Sequence, residues 1–216
     1  MGNSMSSQED IAKILLESIP RELLLNFERF YPSALERALQ IGQTVNKGHR
    51  ASVVGHNRHF FLNEALMLAL DECEIPHAPL RGNSILVGKV GLAAIARVHM
   101  NSGKWDNSRR SKAKVKLCTP NRIVASMVQM DWLQIQNPEA IEAITAFLVT
   151  QGDGTDLSPC QVYIVVPDEK MDLRNPVFVE QLDTFIWRYQ QVQDVSDIAQ
   201  PKLKSNIKKQ PKQDES

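Results

Sequence analysis

The side chains best suited to proton transfer are concentrated in one part of this sequence. All five histidines lie between residues 41 and 120, and three of them fall within residues 47–59 together with two arginines. Because an unperturbed imidazole titrates at a pKa of about 6.5, such a cluster can donate and accept protons at neutral pH. This pattern predicts, as one alternative, a histidine-dependent nuclease. Its candidate catalytic residues are Arg50, His56, His59 and Glu64.

A short motif within this cluster has a counterpart in a known class of nuclease. Arg50 and His56 are separated by five residues, and this spacing resembles the R-x5-H pattern of the helical HEPN ribonucleases. The resemblance covers seven residues and implies metal-independent cleavage of RNA on an all-helical fold. The sheet predicted below departs from that fold, so the resemblance supports only the nuclease alternative.

A second concentration of functional side chains is the basic run at residues 104–116, which holds six lysines and arginines and one acid. An arginine guanidinium grips a phosphate bidentately, a lysine adds charge, and an indole such as Trp105 stacks on an unpaired base. We therefore expect nucleic-acid binding. The predicted contacts are Lys47, Arg50, Arg58, Lys104, Trp105, Arg109, Arg110, Lys112, Lys114 and Lys116. Alternatively, the lysines of this run only cover a solvent-exposed face.

Charge is segregated along a chain that is neutral as a whole. Residues 1–40 carry a net charge of −2, residues 41–120 carry +7, residues 121–200 carry −8 and residues 201–216 carry +3. Local charge attracts ligands even where the net charge vanishes, so the middle segment predicts binding of DNA or RNA. The alternative is a protein partner or self-assembly into a homo-oligomer, in which the basic middle of one copy meets acidic residues 121–200 of another.

The spacing of possible ligands predicts neither a metal site nor a cofactor site. His56 and His59 with Glu64 do not form the H-E-x-x-H arrangement that places two zinc ligands on one helical face. Residues 82–89 have five residues between their glycines, one more than a nucleotide-binding phosphate loop, and lack its hydroxyl. The three cysteines lie more than forty residues apart and predict no disulfide framework. We therefore expect no metal and no cofactor.

Apolar periodicity predicts an α+β fold with a helical N-terminal layer. Helical spacing begins near Ser6, Pro20 separates the first helix from the second, and Pro32 is predicted to be the first residue of another helix. The histidine-rich stretch then leads into residues 60–70, which are apolar on nearly every face. A helix of that composition belongs in the core.

The strands are predicted to form a small antiparallel sheet of about four strands. Residues 84–100 and residues 143–166 each indicate a hairpin, because β-branched runs are separated by glycine-rich turns. Asn175-Pro176 then predicts the start of an amphipathic C-terminal helix. Its apolar stripe comprises Phe178, Leu182, Phe185, Ile186 and Tyr189.

The domain organisation follows from composition. We expect one domain over residues 8–194, a flexible leader over residues 1–7 and a disordered basic tail over residues 195–216. No apolar stretch reaches the roughly 20 residues of a membrane span, and no secretory signal is evident, so a cytoplasmic location is expected. Residues 1–6 fit an N-myristoylation pattern. We do not expect a lipid anchor, because one acyl chain without an adjacent polybasic segment binds membranes weakly.

Overall fold

A computed structural model describes residues 4–101, 105, 108–126, 141–152 and 160–199, with side chains from residue 8 to residue 191 within these ranges. They form an α+β structure, which confirms the predicted class. The helices are α1 (Ser4–Ser18), α2 (Arg21–Gln43), α3 (Lys47–Glu72), a 3-10 turn (Ser108–Arg110), α4 (Lys112–Leu117), α5, of which residues 121–126 are described, and α6 (Leu182–Ala199). The strands are β1 (Gly88–Val90), β2 (Ala93–Met100), β3 (Ile144–Gln151), β4 (Gln161–Val166) and β5 (Phe178–Gln181).

Helices α2 and α3 form a long helical hairpin that differs from the prediction in two places. Pro32 lies inside α2 and does not start a new helix. Residues 47–59, predicted as a stretch leading to the core helix, are the first half of α3 itself. The Asn46 side chain caps this helix by accepting from the Gly48 N–H at 3.0 Å. That cap and tight packing against α2 outweigh the low helix propensity of Gly48, Val53, Val54 and Gly55.

The two helices are in tight contact at Gly42. A Cβ atom at Gly42 would lie 2.2 Å from Cγ2 of Val54, so any larger residue would force Val54 to shift. On the outer surface of the pair, Arg37 bonds the Glu64 carboxylate at 2.9 Å and covers the Phe61 ring. The hairpin is therefore joined by close backbone approach in its interior and by a charged pair at its surface.

The sheet has five strands in the order β1-β2-β3-β4-β5 and is mixed. The predicted hairpins are present, because β1 pairs antiparallel with β2, and β3 with β4. The prediction of an antiparallel four-stranded sheet is wrong in two respects. Strands β2 and β3 are parallel, since residues 101–143 return the chain to the same end of the sheet. A short fifth strand, β5, pairs with β4.

The fifth strand was missed because its residues also fit a helix. Phe178 lies at helical spacing from Leu182 and Phe185, and all three are buried. In the structure Phe178 belongs to β5 and helix α6 begins four residues later, at Leu182. Four residues are too few for alternation to distinguish a strand from the first turn of a helix.

Both faces of the sheet are covered by apolar side chains. Residues from α1, α2, α3 and α6 form the larger core against one face, which includes Ile95 of β2 and Leu148 of β3. The other face packs Val98 and Phe147 against Cys118, Met171 and Leu173. Side chains alternate between faces along a strand, so Arg97 and His99 lie on the same face as Ile95, toward α3.

A buried asparagine joins α5 to the sheet. The Asn121 side-chain amide donates to the carbonyls of Thr145 (2.9 Å) and Pro167 (2.8 Å), and its oxygen accepts from the Thr145 N–H at 2.7 Å. Asn121 is fully buried. These three bonds connect the crossover to the start of β3 and to the loop after β4, and hold α4 and α5 against the sheet.

Candidate anion-binding cavity

Helix α3 directs a polar face toward the outer part of β2. Gly55, His59 and Asn63 are spaced four residues apart, and Arg58 is adjacent to them on the helix. All four line a cavity of about 280 Å³. The cavity lies beside the part of β2 that extends past β1, because β1 pairs only with Ala93 to Ile95 of that strand. A short edge strand and a long neighbour thus leave room for side chains.

Arg97 of β2 is the most deeply buried cation of the cavity. Only 6% of the residue is exposed. Its Nε donates to Oδ1 of Asn63 at 2.8 Å, and its Nη2 donates to Nδ1 of His59 at 3.0 Å and to the His59 carbonyl. Burial lowers the pKa of Arg97 to about 9. The guanidinium remains a cation at neutral pH, because that value is still two units above neutrality.

The hydrogen bonds of Arg97 determine the tautomer of His59. Nδ1 of His59 accepts from Arg97, so the ring proton lies on Nε2. Burial lowers the pKa of His59, and the positive charges of Arg97, Lys114 and His56 lower it further, so the ring is neutral. Nε2 is buried and has no hydrogen-bond partner among the described residues. His59 therefore lines the cavity as a residue, but its Nε2–H is an unsatisfied donor that solvent does not reach.

His99 forms the centre of a second chain of hydrogen bonds. Arg58 Nη1 donates to Nε2 of His99, so Nδ1 carries the proton and donates to Oγ1 of Thr150 at 2.9 Å. The Thr150 hydroxyl in turn donates to the Val98 carbonyl at 3.4 Å. Burial lowers the pKa of His99 to about 3, assisted by the charges of Arg58 and Arg97. His99 is thus a neutral acceptor that orients Arg58.

Lys114 brings a third cation to the cavity from α4. Ser111 caps this helix, with its hydroxyl accepting from the Lys114 N–H at 3.4 Å, and Lys114 follows one turn later. Burial lowers the pKa of Lys114, and the nearby charge of Arg97 lowers it further. The ammonium makes no hydrogen bond or ion pair with any residue that the structure describes. A partly buried ammonium in this state favours an anionic partner.

The charge of the cavity is one-sided. Its described lining contains the cations Arg58, Arg97 and Lys114, the histidines His59 and His99, and no aspartate or glutamate. Nη1 of Arg97 likewise makes no hydrogen bond within the described ranges. Two charged groups on residues that line the cavity therefore have no protein acceptor within the described residues: Arg97 Nη1 and Lys114 Nζ. Chemically, this arrangement is suited to bind an oxyanion.

Of the residues predicted as nucleic-acid contacts, Arg58 and Lys114 line this cavity. Lys47 and Arg50 are exposed in the first half of α3, and Arg110, Lys112 and Lys116 are exposed at or near α4. Arg109 is paired with Asp172 at 2.6 Å. Trp105 packs edge to face against Tyr163, with ring centroids 5.4 Å apart, and is an anchor of the second core. Lys104 lies outside the described residues.

The four candidate catalytic residues are not brought together. His59 lines the cavity, whereas Glu64 faces α2 and is paired with Arg37. Arg50 donates from Nε to the Gly42 carbonyl at 3.2 Å. His56 is exposed, with its Nδ1 3.0 Å from the Ser52 carbonyl. Since residues six positions apart on a helix point about 120° from each other, Arg50 and His56 do not share a face of α3.

The sequence reasoning missed Arg97, His99, Asn63 and Thr150. Arg97 lies in an apolar stretch of the sequence, outside both basic segments. A usable signal was present, because two polar residues at alternate positions of an otherwise apolar strand share one face. Asn63 had a comparable signal, four residues after His59 on the same helix. The partners of these residues come from distant parts of the chain, which no local pattern reveals.

A second, larger cavity of about 960 Å³ lies between α1, the start of α2 and α6. Its lining mixes acids such as Glu9 and Glu22 with cations such as Arg21 and Arg188. Arg188 bonds Glu9 at 2.8 Å and Glu180 at 2.9 Å. Its charges are largely compensated within the chain, so size alone does not make this cavity the better candidate for ligand chemistry.

Within the described residues, no three or more histidines, cysteines, aspartates or glutamates lie together as possible metal ligands. In the same part of the chain, every helix is too short or too polar to cross a membrane. No family model, no curated protein and no solved structure matches the chain. The cavity is therefore the feature on which a functional assignment can be argued.

Proposed function

We propose that this protein binds nucleic acid through a surface centred on the cationic cavity between α3, β2 and α4. The observation that carries the proposal is the meeting of the two basic segments at one place. Arg58 and His59 come from residues 47–59, Lys114 comes from residues 104–116, and Arg97 lies between them. Phosphate oxygens would satisfy the donors that have no acceptor within the described protein.

Exposed cations around the cavity extend the surface. Lys112 and Lys116 lie on the same short helix as Lys114, and Lys47 and Arg50 lie on the same helix as Arg58. A nucleic acid whose phosphate entered the cavity would pass near Lys112 and Lys116. Lys47 lies about 16 Å along α3 from Arg58, and Arg50 lies on the face of α3 opposite His59. Each phosphate that they neutralise releases condensed counterions, which favours binding at low salt.

The test is binding of the purified protein to labelled single-stranded and double-stranded DNA and RNA across a salt series. We expect affinity to fall steeply with salt, and Lys114→Met to weaken binding about tenfold, as expected for loss of one charge-assisted hydrogen bond of about 1.5 kcal/mol or more. The matched control is Lys13→Met on α1, which removes the same charge outside the cavity. Absence of binding to all four nucleic acids at low salt would refute the proposal.

Hydrolysis of the bound nucleic acid is a second candidate function, and the position of His59 favours it. His59 lines the cavity, and an imidazole is the side chain best suited to exchange a proton with a bound ester. This role would require the ring to turn, because Nδ1 accepts from Arg97 and Nε2 is buried. The minimum support would be cleavage that His59→Ala abolishes while binding is retained. Loss on His56→Ala alone would instead implicate the exposed half of α3 and not the cavity.

A further inference from the structure

Several polar side chains that line the cationic cavity are buried, and this restricts which phosphates can reach them. Arg97 is 6% exposed, Asn63 is 3% exposed and Arg58 is 8% exposed. The volume of about 280 Å³ is just below the range of about 300 to 1,000 Å³ of small-molecule sites. A single phosphate with part of its sugar is of suitable size for this volume, whereas a duplex is far too large to enter it.

A phosphate in the interior of a nucleic acid carries a sugar on each side. Both sugars would have to be accommodated close to Arg97, whose side chain is buried. A terminal phosphate has only one neighbour and can enter end on. Interior phosphates therefore remain within reach of the exposed Lys112 and Lys116 but not of Arg97.

Charge favours the same group. A phosphate monoester carries a charge of about −1.5 to −2 at neutral pH, whereas a diester carries one negative charge. Arg97 and Lys114 supply two positive charges, and the described lining of the cavity contains no acid beside them. Two cations from two separate elements, β2 and α4, match the charge of a monoester better than that of a diester.

We propose that the cavity takes a phosphate monoester, the group at the end of a phosphorylated nucleic-acid chain or on a free nucleotide, in preference to a phosphodiester. This inference rests on the proposed function for the nucleic-acid source of the group, while the monoester chemistry follows from the cavity itself. Specificity of this kind would direct the protein to chain ends.

The test compares oligonucleotides of one sequence with a 5′-phosphate, a 3′-phosphate or hydroxyl ends, in DNA and RNA form, with the label inside the chain. A mononucleotide and inorganic phosphate serve as separate ligands and competitors. We expect one phosphorylated end to bind at least about tenfold more tightly than the hydroxyl form, which corresponds to about 1.4 kcal/mol. Inorganic phosphate should compete with that end and not with the remaining, salt-dependent binding.

Variants assign the preference to the cavity. Lys114→Met should abolish most of the difference between phosphorylated and hydroxyl ends. Lys112→Met is the matched control, because it removes the same charge from the exposed side of α4 and should lower both affinities while preserving their ratio. Arg97→Met should also remove the preference, and if it does not fold, the ratio measured for Lys114→Met decides the question.

The outcomes separate the two proposals. Equal, salt-sensitive binding of phosphorylated and hydroxyl ends would overturn the monoester inference and leave nucleic-acid binding in place. Binding of the mononucleotide or inorganic phosphate alone would support the monoester site and overturn the nucleic-acid proposal. A preference for phosphorylated ends that persists in Lys114→Met would place monoester recognition elsewhere and overturn the inference. Absence of binding to every phosphate compound would overturn both.

Discussion

Among single residues, His99 makes the free energy of unfolding depend on pH. Its pKa in the folded protein is about 3, below the ordinary value of 6.5, because burial and two arginines oppose its charge. The unfolded chain therefore binds a proton that the folded chain excludes between those two values, so stability falls as the pH is lowered through this window. We expect His99→Gln to lose part of this dependence.

The measurement is urea unfolding between about pH 4 and pH 7, comparing wild type with His99→Gln. His49→Gln provides the control. His49 is exposed on helix α3, which also carries Arg58, so this variant should keep the pH dependence of wild-type stability. An identical slope for wild type and His99→Gln would show that His99 does not titrate as proposed.

Asn121 provides a residue-scale test of the crossover. Its three buried hydrogen bonds each contribute about 1 kcal/mol, so Asn121→Ala should lower the free energy of unfolding by about 3 kcal/mol. Asn83→Ala is the control, because Asn83 is exposed in a turn. Denaturant unfolding compares the two variants, and equal losses would contradict a specific role for Asn121.

At the scale of elements, two glycines of the α2–α3 hairpin should respond oppositely to alanine. A Cβ atom at Gly55 meets nothing within 4 Å, so Gly55→Ala should stabilise α3 by about 0.5 to 1 kcal/mol. At Gly42 the Cβ atom would overlap Val54, so Gly42→Ala should destabilise by about 1 to 3 kcal/mol. Thermal unfolding measures both changes. Shifts of the same sign would contradict the packing described for this hairpin.

The contact between α2 and α6 should also depend on pH. Glu28 lies beside Asp183 of α6, and burial together with this second carboxyl group raises the pKa of Glu28 to about 7 from 4.5. The folded chain retains a proton that the unfolded chain releases between those values, so stability falls as pH rises through this window. Glu28→Gln keeps a donor toward Asp183 and should exceed wild type in stability above about pH 7.

Glu36→Gln is the matched control for this contact, because Glu36 is exposed on the same helix. Urea unfolding between about pH 5 and pH 8 compares the three proteins. Since His99 acts in the opposite direction over an overlapping window, only the difference between each variant and wild type is informative. A constant difference between Glu28→Gln and wild type would exclude a shared proton.

At the scale of the whole molecule, charge segregation can act in binding or in self-assembly. Some of the opposite charges are paired within one chain, because Arg109 of the basic segment 41–120 forms an ion pair with Asp172 of the acidic segment 121–200. We expect sedimentation of the pure protein to be independent of concentration between about 50 and 200 mM salt. Association that disappears as salt rises would favour the self-assembly alternative, in which basic and acidic segments of different copies meet.

Several features of the candidate site were predictable and others were not. Arg58, His59 and Lys114 were named because charge and residue type are visible in the sequence. Their convergence was not, since the hydrogen bond between Arg97 and Asn63 spans 34 positions and the one between His99 and Thr150 spans 51. The structural role of Trp105 was also unpredictable, because an indole can either stack on a base or pack into a hydrophobic core.

The sequence by itself determined the α+β class, the two hairpins, the helical periodicity of α1 to α3 and the segregation of charge, because each depends on residues near one another in the chain. Tertiary packing made β2 and β3 parallel, added β5 to the sheet and brought two histidines and three cations around a cavity while other cations stay exposed. Those outcomes depend on which faces pack together, and packing selects among residues that have the same local chemistry.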